Sequence, residues 1–195
     1  MYNEHMMKVH LIASRSNVSE NFDNLQRISE IISEEKHQVA RDWVSSAHSR
    51  LTNTEKSQTD WSKIYQLNLE TIAKADVIIA EITHNSFGVG YQIAVAVQQK
   101  KPVLLLRRND ATTDVFATGI VDPWVKSVLY TEDTLDDAVR DFLKENDIGT
   151  KDMRFNFFID RKIYNYLRWS SFKTGRTKAE VLRELVEREI EKQEQ

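Results

Sequence analysis

The chain has 195 residues, 41% hydrophobic and 29% charged, with a formal net charge of −3, the balance of a soluble globular protein with room for one α/β domain and a small appendage. It contains no cysteine, which excludes disulfides, thiolate metal sites and thiol nucleophiles. The first residues lead into only a short apolar run, so neither a signal peptide nor a membrane span is expected, and the cytoplasm is the default location.

Residues 8–13 (KVHLIA) are predicted to form the first strand, and residues 21–35 an amphipathic helix with Phe22, Leu25, Ile28 and Ile32 on one face. The turn between them reads Ala13-Ser14-Arg15-Ser16-Asn17. Open α/β sheets bind phosphate at such turns, which makes Arg15 a candidate anion ligand, with a solvated loop residue as the alternative. Residues 38–44 suit a second short strand, and the polar stretch 45–59 a surface loop or lid. Residues 60–74 have helical period, with Trp61, Ile64 or Tyr65, Asn68 or Leu69, and Ile72 inward.

Residues 75–106 organise the rest. Two continuous apolar runs, 77–80 and 103–106, suit parallel strands covered on both faces. Between them lies a helix that opens at Gly88-Val89-Gly90, so the unit is a right-handed crossover. Small residues at this turn let a ligand approach free N–H groups, and the helix dipole favours an anion; a plain packing turn is the alternative. Arg107 and Arg108 end the second strand, either at a phosphate pocket or in solvated loop. A further strand is expected over 125–130. A helix over 134–145 would have Thr134 as N-cap and Leu135, Ala138, Val139 and Phe142 inward. The expected organisation is a first domain over 1–146, a linker over 147–152 and a second domain over 153–195.

The run AEITHNSFGVGYQIAVAV resembles the 2'-deoxynucleoside 5'-phosphate N-hydrolases and nucleoside 2-deoxyribosyltransferases. Ser86, Gly88, Val89, Gly90 and Tyr91 stand as that family has them, but Gln92 stands where the family has its catalytic Glu. The family also carries an Asp in the preceding helix, at a position held here by Asn68. The resemblance implies a Rossmann-like, doubly wound parallel sheet and a nucleotide-like ligand held by Arg15, Ser86, Gly88, Gly90, Gln92 and Asn68. It implies no metal and no cofactor. Cleaving an N-glycosidic bond puts positive charge on the sugar, which a carboxylate stabilises or attacks. Two amides in place of two acids therefore suggest a pseudoenzyme. Glu81 has its own counterpart in the family and is no obvious replacement; His84 is either a base or a solvated loop residue.

The tail carries 11 Lys/Arg against 8 Asp/Glu over residues 151–195, whereas the remainder has 16 against 22. Residues 154–160 (RFNFFID) read as a strand, followed by two helices broken at 173–176. Gly175 suits a left-handed helix stop, and Thr177 with Glu180 a capping box. Ile163, Leu167 and Ser170 mark one helix face; Ala179, Leu182, Leu185, Val186 and Ile190 mark the other. Roughly 40 residues cannot bury such faces alone. This β-α-α pattern resembles the ribbon-helix-helix family, dimers whose paired strands enter the DNA major groove. Period two puts Phe155, Phe157 and Ile159 inside and Arg154, Asn156 and Phe158 outward, toward bases. Thr177 and Lys178 would hold a phosphate. The sequence thus suggests a homodimeric DNA-binding regulator with a ligand-binding or scaffold domain. Its rival is an active deoxyribosyltransferase or deoxynucleotide N-glycosidase with a dimerising tail.

Overall fold

The computed structural model describes residues 6–47, 60–110, 119–147 and 156–193. The chain divides into two units, Met1–Asp152 and Met153–Gln195. In the first, the elements run β1 (Lys8–Ala13), a 3-10 turn (Arg15–Asn17), α1 (Phe22–Glu34), β2 (Gln38–Val39), α2 (Trp61–Lys74), β3 (Val77–Glu81), α3 (Phe87–Gln98), β4 (Val103–Arg108), β5 (Val125–Tyr130) and α4 (Leu135–Asn146). All strand pairs are parallel, in the order β2-β1-β3-β4-β5. The expected doubly wound α/β sheet is therefore present.

Alternation within the strands builds two cores. Val9, Leu11, Val77, Ile79, Leu104 and Leu106 join α1 and α4 through Leu25, Ile28, Val139 and Phe142. Ile12, Ile78, Ala80, Val103 and Leu105 face the opposite way, toward Ile72 of α2 and Ile93 and Ala96 of α3. Helices on both faces explain why β3 and β4 read as unbroken apolar runs. From β1 the chain first goes to one side, to β2, and then crosses to β3 on the other. This reversal opens a crevice at the carboxyl ends of β1 and β3, where such sheets bind ligands.

Several local expectations are corrected. The strand at 38–44 is only two residues long, because residues 44–47 turn helical and Trp43 takes over the bonding: its indole Nε1 donates to the Leu11 carbonyl at 2.7 Å. Trp61 is 68% exposed, and Thr71 and Ile72 are the buried residues of α2. Thr134 makes no cap bond; its hydroxyl accepts from the Thr131 N–H at 2.9 Å. Arg108 extends β4 and donates to Asp110 at 3.0 Å, so among the described residues its guanidinium is engaged by a carboxylate. The stretch read as a loop or lid falls mostly on residues 48–59, outside the described residues.

In the second unit, α5 (Arg161–Thr174) ends at Gly175, whose φ of 69° is the left-handed stop that an L side chain disfavours, and α6 (Lys178–Gln193) follows. Thr177 and Glu180 form the reciprocal box: the Thr177 N–H donates to Glu180 Oε2 at 2.7 Å, and the Glu180 N–H to Thr177 Oγ1 at 3.2 Å. Among the described residues of this unit only Leu167 and Val181 are buried; Ile163, Leu185, Val186 and Ile190 stay substantially exposed in the single chain. Val181 replaces the expected Ala179 as the inward residue. Arg154 and Phe155 lie outside the described residues, and residues 156–160, expected as a strand, form none.

Candidate active site

The crevice holds a cavity of about 620 Å³, within the range of small-molecule sites. Of the six residues expected to bind a ligand, five line it: Arg15, Asn68, Ser86, Gly88 and Gln92. Gly90 does not. It lies one helical step away and lines a neighbouring, mostly apolar groove with Ile93, Ala94 and Val97.

The floor is a neutral pair. Gln92 sits one turn into α3, where its amide Nε2 donates to the Gly88 carbonyl at 3.1 Å, while its Oε1 accepts from His10 Nε2 at 3.4 Å. His10 lies mid-strand in β1 and is buried. Burial outweighs the Gln92 bond, and Arg41 adds repulsion, so the imidazole pKa falls to about 4. The ring is therefore neutral at pH 7. With Nε2 donating, Nδ1 is left as an acceptor, buried without a partner. His84, the other histidine considered, lines the neighbouring groove and lies 3.7 Å from Glu20.

The walls carry the charge. Arg15 rises from the 3-10 turn after β1, with its guanidinium 5.7 Å from the Trp61 ring centroid. Arg41, just beyond β2, donates to Asn68 Oδ1 at 2.8 Å; burial and the nearby Arg15 hold its pKa below the ordinary guanidinium range. Among the described residues neither arginine has a carboxylate partner. Lys63 also lines the cavity. Ser86 occupies the N-cap position of α3 yet makes no cap bond, which leaves its hydroxyl for a ligand. Two carboxylates line the same space, Asp42 and Asp60. Glu81 does not: it is buried beneath the sheet's end, accepting from Asn21 at 2.5 Å, Tyr130 at 3.2 Å and the Thr83 N–H at 3.2 Å. Burial raises its pKa against the pull of these bonds.

Reading the sequence missed His10, Arg41, Asp42, Asp60 and Lys63. The available signal was position: Arg41-Asp42-Trp43 follows the second strand at its carboxyl end, on the rim where such sheets bind ligands. Among the described residues no group of three His, Asp or Glu side chains is placed to hold a metal ion. None of the described helices is long and apolar enough to cross a membrane.

Residues 14–154 match the family model described as nucleoside 2-deoxyribosyltransferase. The chain belongs to that family. Among relatives of this deoxyribosyltransferase-family chain, a Methanosarcina mazei protein named "Putative 2'-deoxynucleoside 5'-phosphate N-hydrolase 1" is 33% identical over 99 residues, covering 50% of this chain and 61% of its own length. A Thermofilum pendens protein of the same name is 25% identical over 133 residues, covering 68% of this chain and 90% of its own. The 5-hydroxymethyl-dUMP N-hydrolase of Rattus norvegicus is 44% identical over 45 residues, 23% of this chain and 26% of that protein. The chain thus spans about three fifths of the first of these relatives. The solved structure of the Clostridium botulinum CMP N-glycosidase aligns with a TM-score of 0.47 and 15% identity, covering 72% of this chain and 98% of that one.

These matches correct two expectations. The reading as a DNA-binding regulator is overturned, because the family and these relatives are named for glycosyl transfer and N-glycosidic hydrolysis. The tail's chemistry agrees with the correction. The Thr177 N–H and hydroxyl are both taken by Glu180, and Lys178 Nζ lies 4.4 Å from the Tyr164 ring centroid. Arg176 and Arg188 both pair with Glu184. Of the proposed base readers, Arg154 is outside the described residues, while Asn156 and Phe158 are exposed. The expectation of a pseudoenzyme falls with it. It weighed two amides read along the chain and left out the carboxylates that the fold brings to the same cavity.

Proposed function

We propose that the first unit hydrolyses the N-glycosidic bond of 2'-deoxynucleoside 5'-monophosphates. The observation that carries this reading is the pair of guanidinium groups, Arg15 and Arg41, turned on one cavity with no carboxylate partner among the described residues. Such a pair calls for an anion, and a phosphate satisfies it through charge-assisted bonds. Ser86 and the first turn of α3 offer a hydroxyl and free N–H groups beside it. The names of the relatives support the same substrate class. Under this reading Gln92 occupies the place of the family's Glu, where its amide, held by His10 and Gly88, shapes the floor of the cavity rather than acting as an acid.

The tail, of ribbon-helix-helix type, serves to pair two copies of the chain. Its support is the run of apolar residues left exposed on α5 and α6, among them Ile163, Trp169, Phe172 and Val186. Function is tested by incubating the full chain with each common deoxynucleoside monophosphate and separating products by chromatography. Free base with deoxyribose 5-phosphate is expected. Absence of base release from every monophosphate and every deoxynucleoside overturns the reading.

A further inference from the structure

We infer that Asp42 supplies the reacting carboxylate of this site, taking over the work that Gln92 cannot do. The inference rests on the hydrolase reading above and goes beyond it by assigning the group that acts on water. Elimination leads to it first. Glu81 is buried outside the cavity and spends its oxygens on Asn21, Thr83 and Tyr130. Asp60 lines the cavity but caps α2, accepting from the Lys63 N–H at 3.1 Å. Gln92 has both ends of its amide engaged by His10 and Gly88. Among the described residues lining the cavity, Asp42 is the carboxylate without a structural task.

Its setting is also built rather than incidental. Asp42 lies between two anchored neighbours: Arg41 is tied to Asn68 of α2 at 2.8 Å, and Trp43 to the Leu11 carbonyl of β1 at 2.7 Å. A loop held on both sides presents the carboxylate from a fixed backbone, as a reacting group requires. Asp42 is exposed and lines the cavity.

In the step itself, the water oxygen bonds to C1' of the sugar and gives one proton to the Asp42 carboxylate. The C1'–N bond breaks and its electron pair leaves with the base. The proton returns through solvent to the departing nitrogen, so that water is the only co-reactant and Asp42 is regenerated. The carboxylate's negative charge also opposes the positive charge that develops on the sugar.

The test compares wild type with Asp42→Asn and Asp60→Asn, measuring base release from the deoxynucleoside monophosphates and, by calorimetry, their binding. Asp42→Asn is expected to lose roughly 10²–10⁴-fold in turnover while binding stays within a few-fold, and added formate is expected to restore part of the rate. Asp60→Asn, once confirmed folded by circular dichroism, is expected to lose less turnover than Asp42→Asn, and a larger loss at Asp60 than at Asp42 overturns the assignment. An active wild type whose Asp42→Asn variant keeps more than a tenth of the rate overturns this assignment and leaves the hydrolase reading standing. A wild type that releases no base overturns both.

Discussion

Replacing Gln92 with Glu turns the neutral floor of the cavity into a charge pair, and His10 reports the change. In the native protein Gln92 Oε1 lies 3.4 Å from His10 Nε2, and burial holds the imidazole at about 4. A carboxylate oxygen at the same place attracts the imidazolium by roughly 5 kcal/mol at an effective dielectric constant of about 20. At about 1.4 kcal/mol per pH unit this lifts the histidine by roughly three to four pH units. Burial and Arg41 still act against the charged ring, so His10 should titrate near or somewhat above an ordinary histidine. The assay is an NMR titration of the imidazole resonances in wild type and Gln92→Glu, with His10 assigned by its own substitution. If His10 still titrates near 4 in Gln92→Glu, the amide oxygen does not face the ring and the pairing described here is wrong.

Other consequences are independent of catalysis. Because folding lowers the His10 pKa from 6.5 to about 4, the unfolded chain binds the extra proton in that window; the contribution is whole above pH 6.5 and falls by roughly 3 kcal/mol as pH drops to 4. Urea unfolding across that range measures it, and a His10→Gln variant should lose the slope. Glu81 acts with opposite sign: its raised pKa favours the folded state below 4.5, a contribution lost as pH rises, so Glu81→Gln should flatten that part of the profile. Arg15→Ala should weaken deoxynucleoside monophosphate binding by roughly 10–100-fold, the value of a charge-assisted bond, with little change for the unphosphorylated nucleoside; equal losses for both would remove Arg15 from the phosphate. Gly175→Ala, at φ 69°, should cost about 1–2 kcal/mol in thermal unfolding. Light scattering of the full chain should give a dimer, and a monomer at micromolar concentration would remove the tail's proposed role.

The sheet was legible because it is local. Unbroken apolar runs at β3 and β4 and the Gly88-Val89-Gly90 turn between them each record a burial or a bend that neighbouring residues alone decide. The cavity was legible only in part, for a physical reason. Ser86, Gly88 and Gln92 come from one short stretch, whereas His10, Arg41, Asp42 and Asp60 reach the site from strands and loops distant in sequence. Nothing near Gln92 in the sequence says that His10 lies beside it. Trp61 misled because a large apolar residue at helical spacing looks like core, yet it serves as a platform for Arg15. In the tail, periodicity marked apolar faces, yet among the described residues there only Leu167 and Val181 are buried in the single chain.

The indole of Trp43 has a consequence for how the folded protein behaves toward its neighbours. β2 pairs with only Lys8 and Val9 of β1, so the rest of that flank would present open backbone groups of the kind that recruit a foreign strand. The bond from Trp43 to the Leu11 carbonyl closes one of them, with a bulky ring laid where another chain would dock. Trp43 also packs against the core, so a Trp43→Ala protein should lose some stability and, in addition, self-associate on standing, because a guard against other copies goes with the side chain.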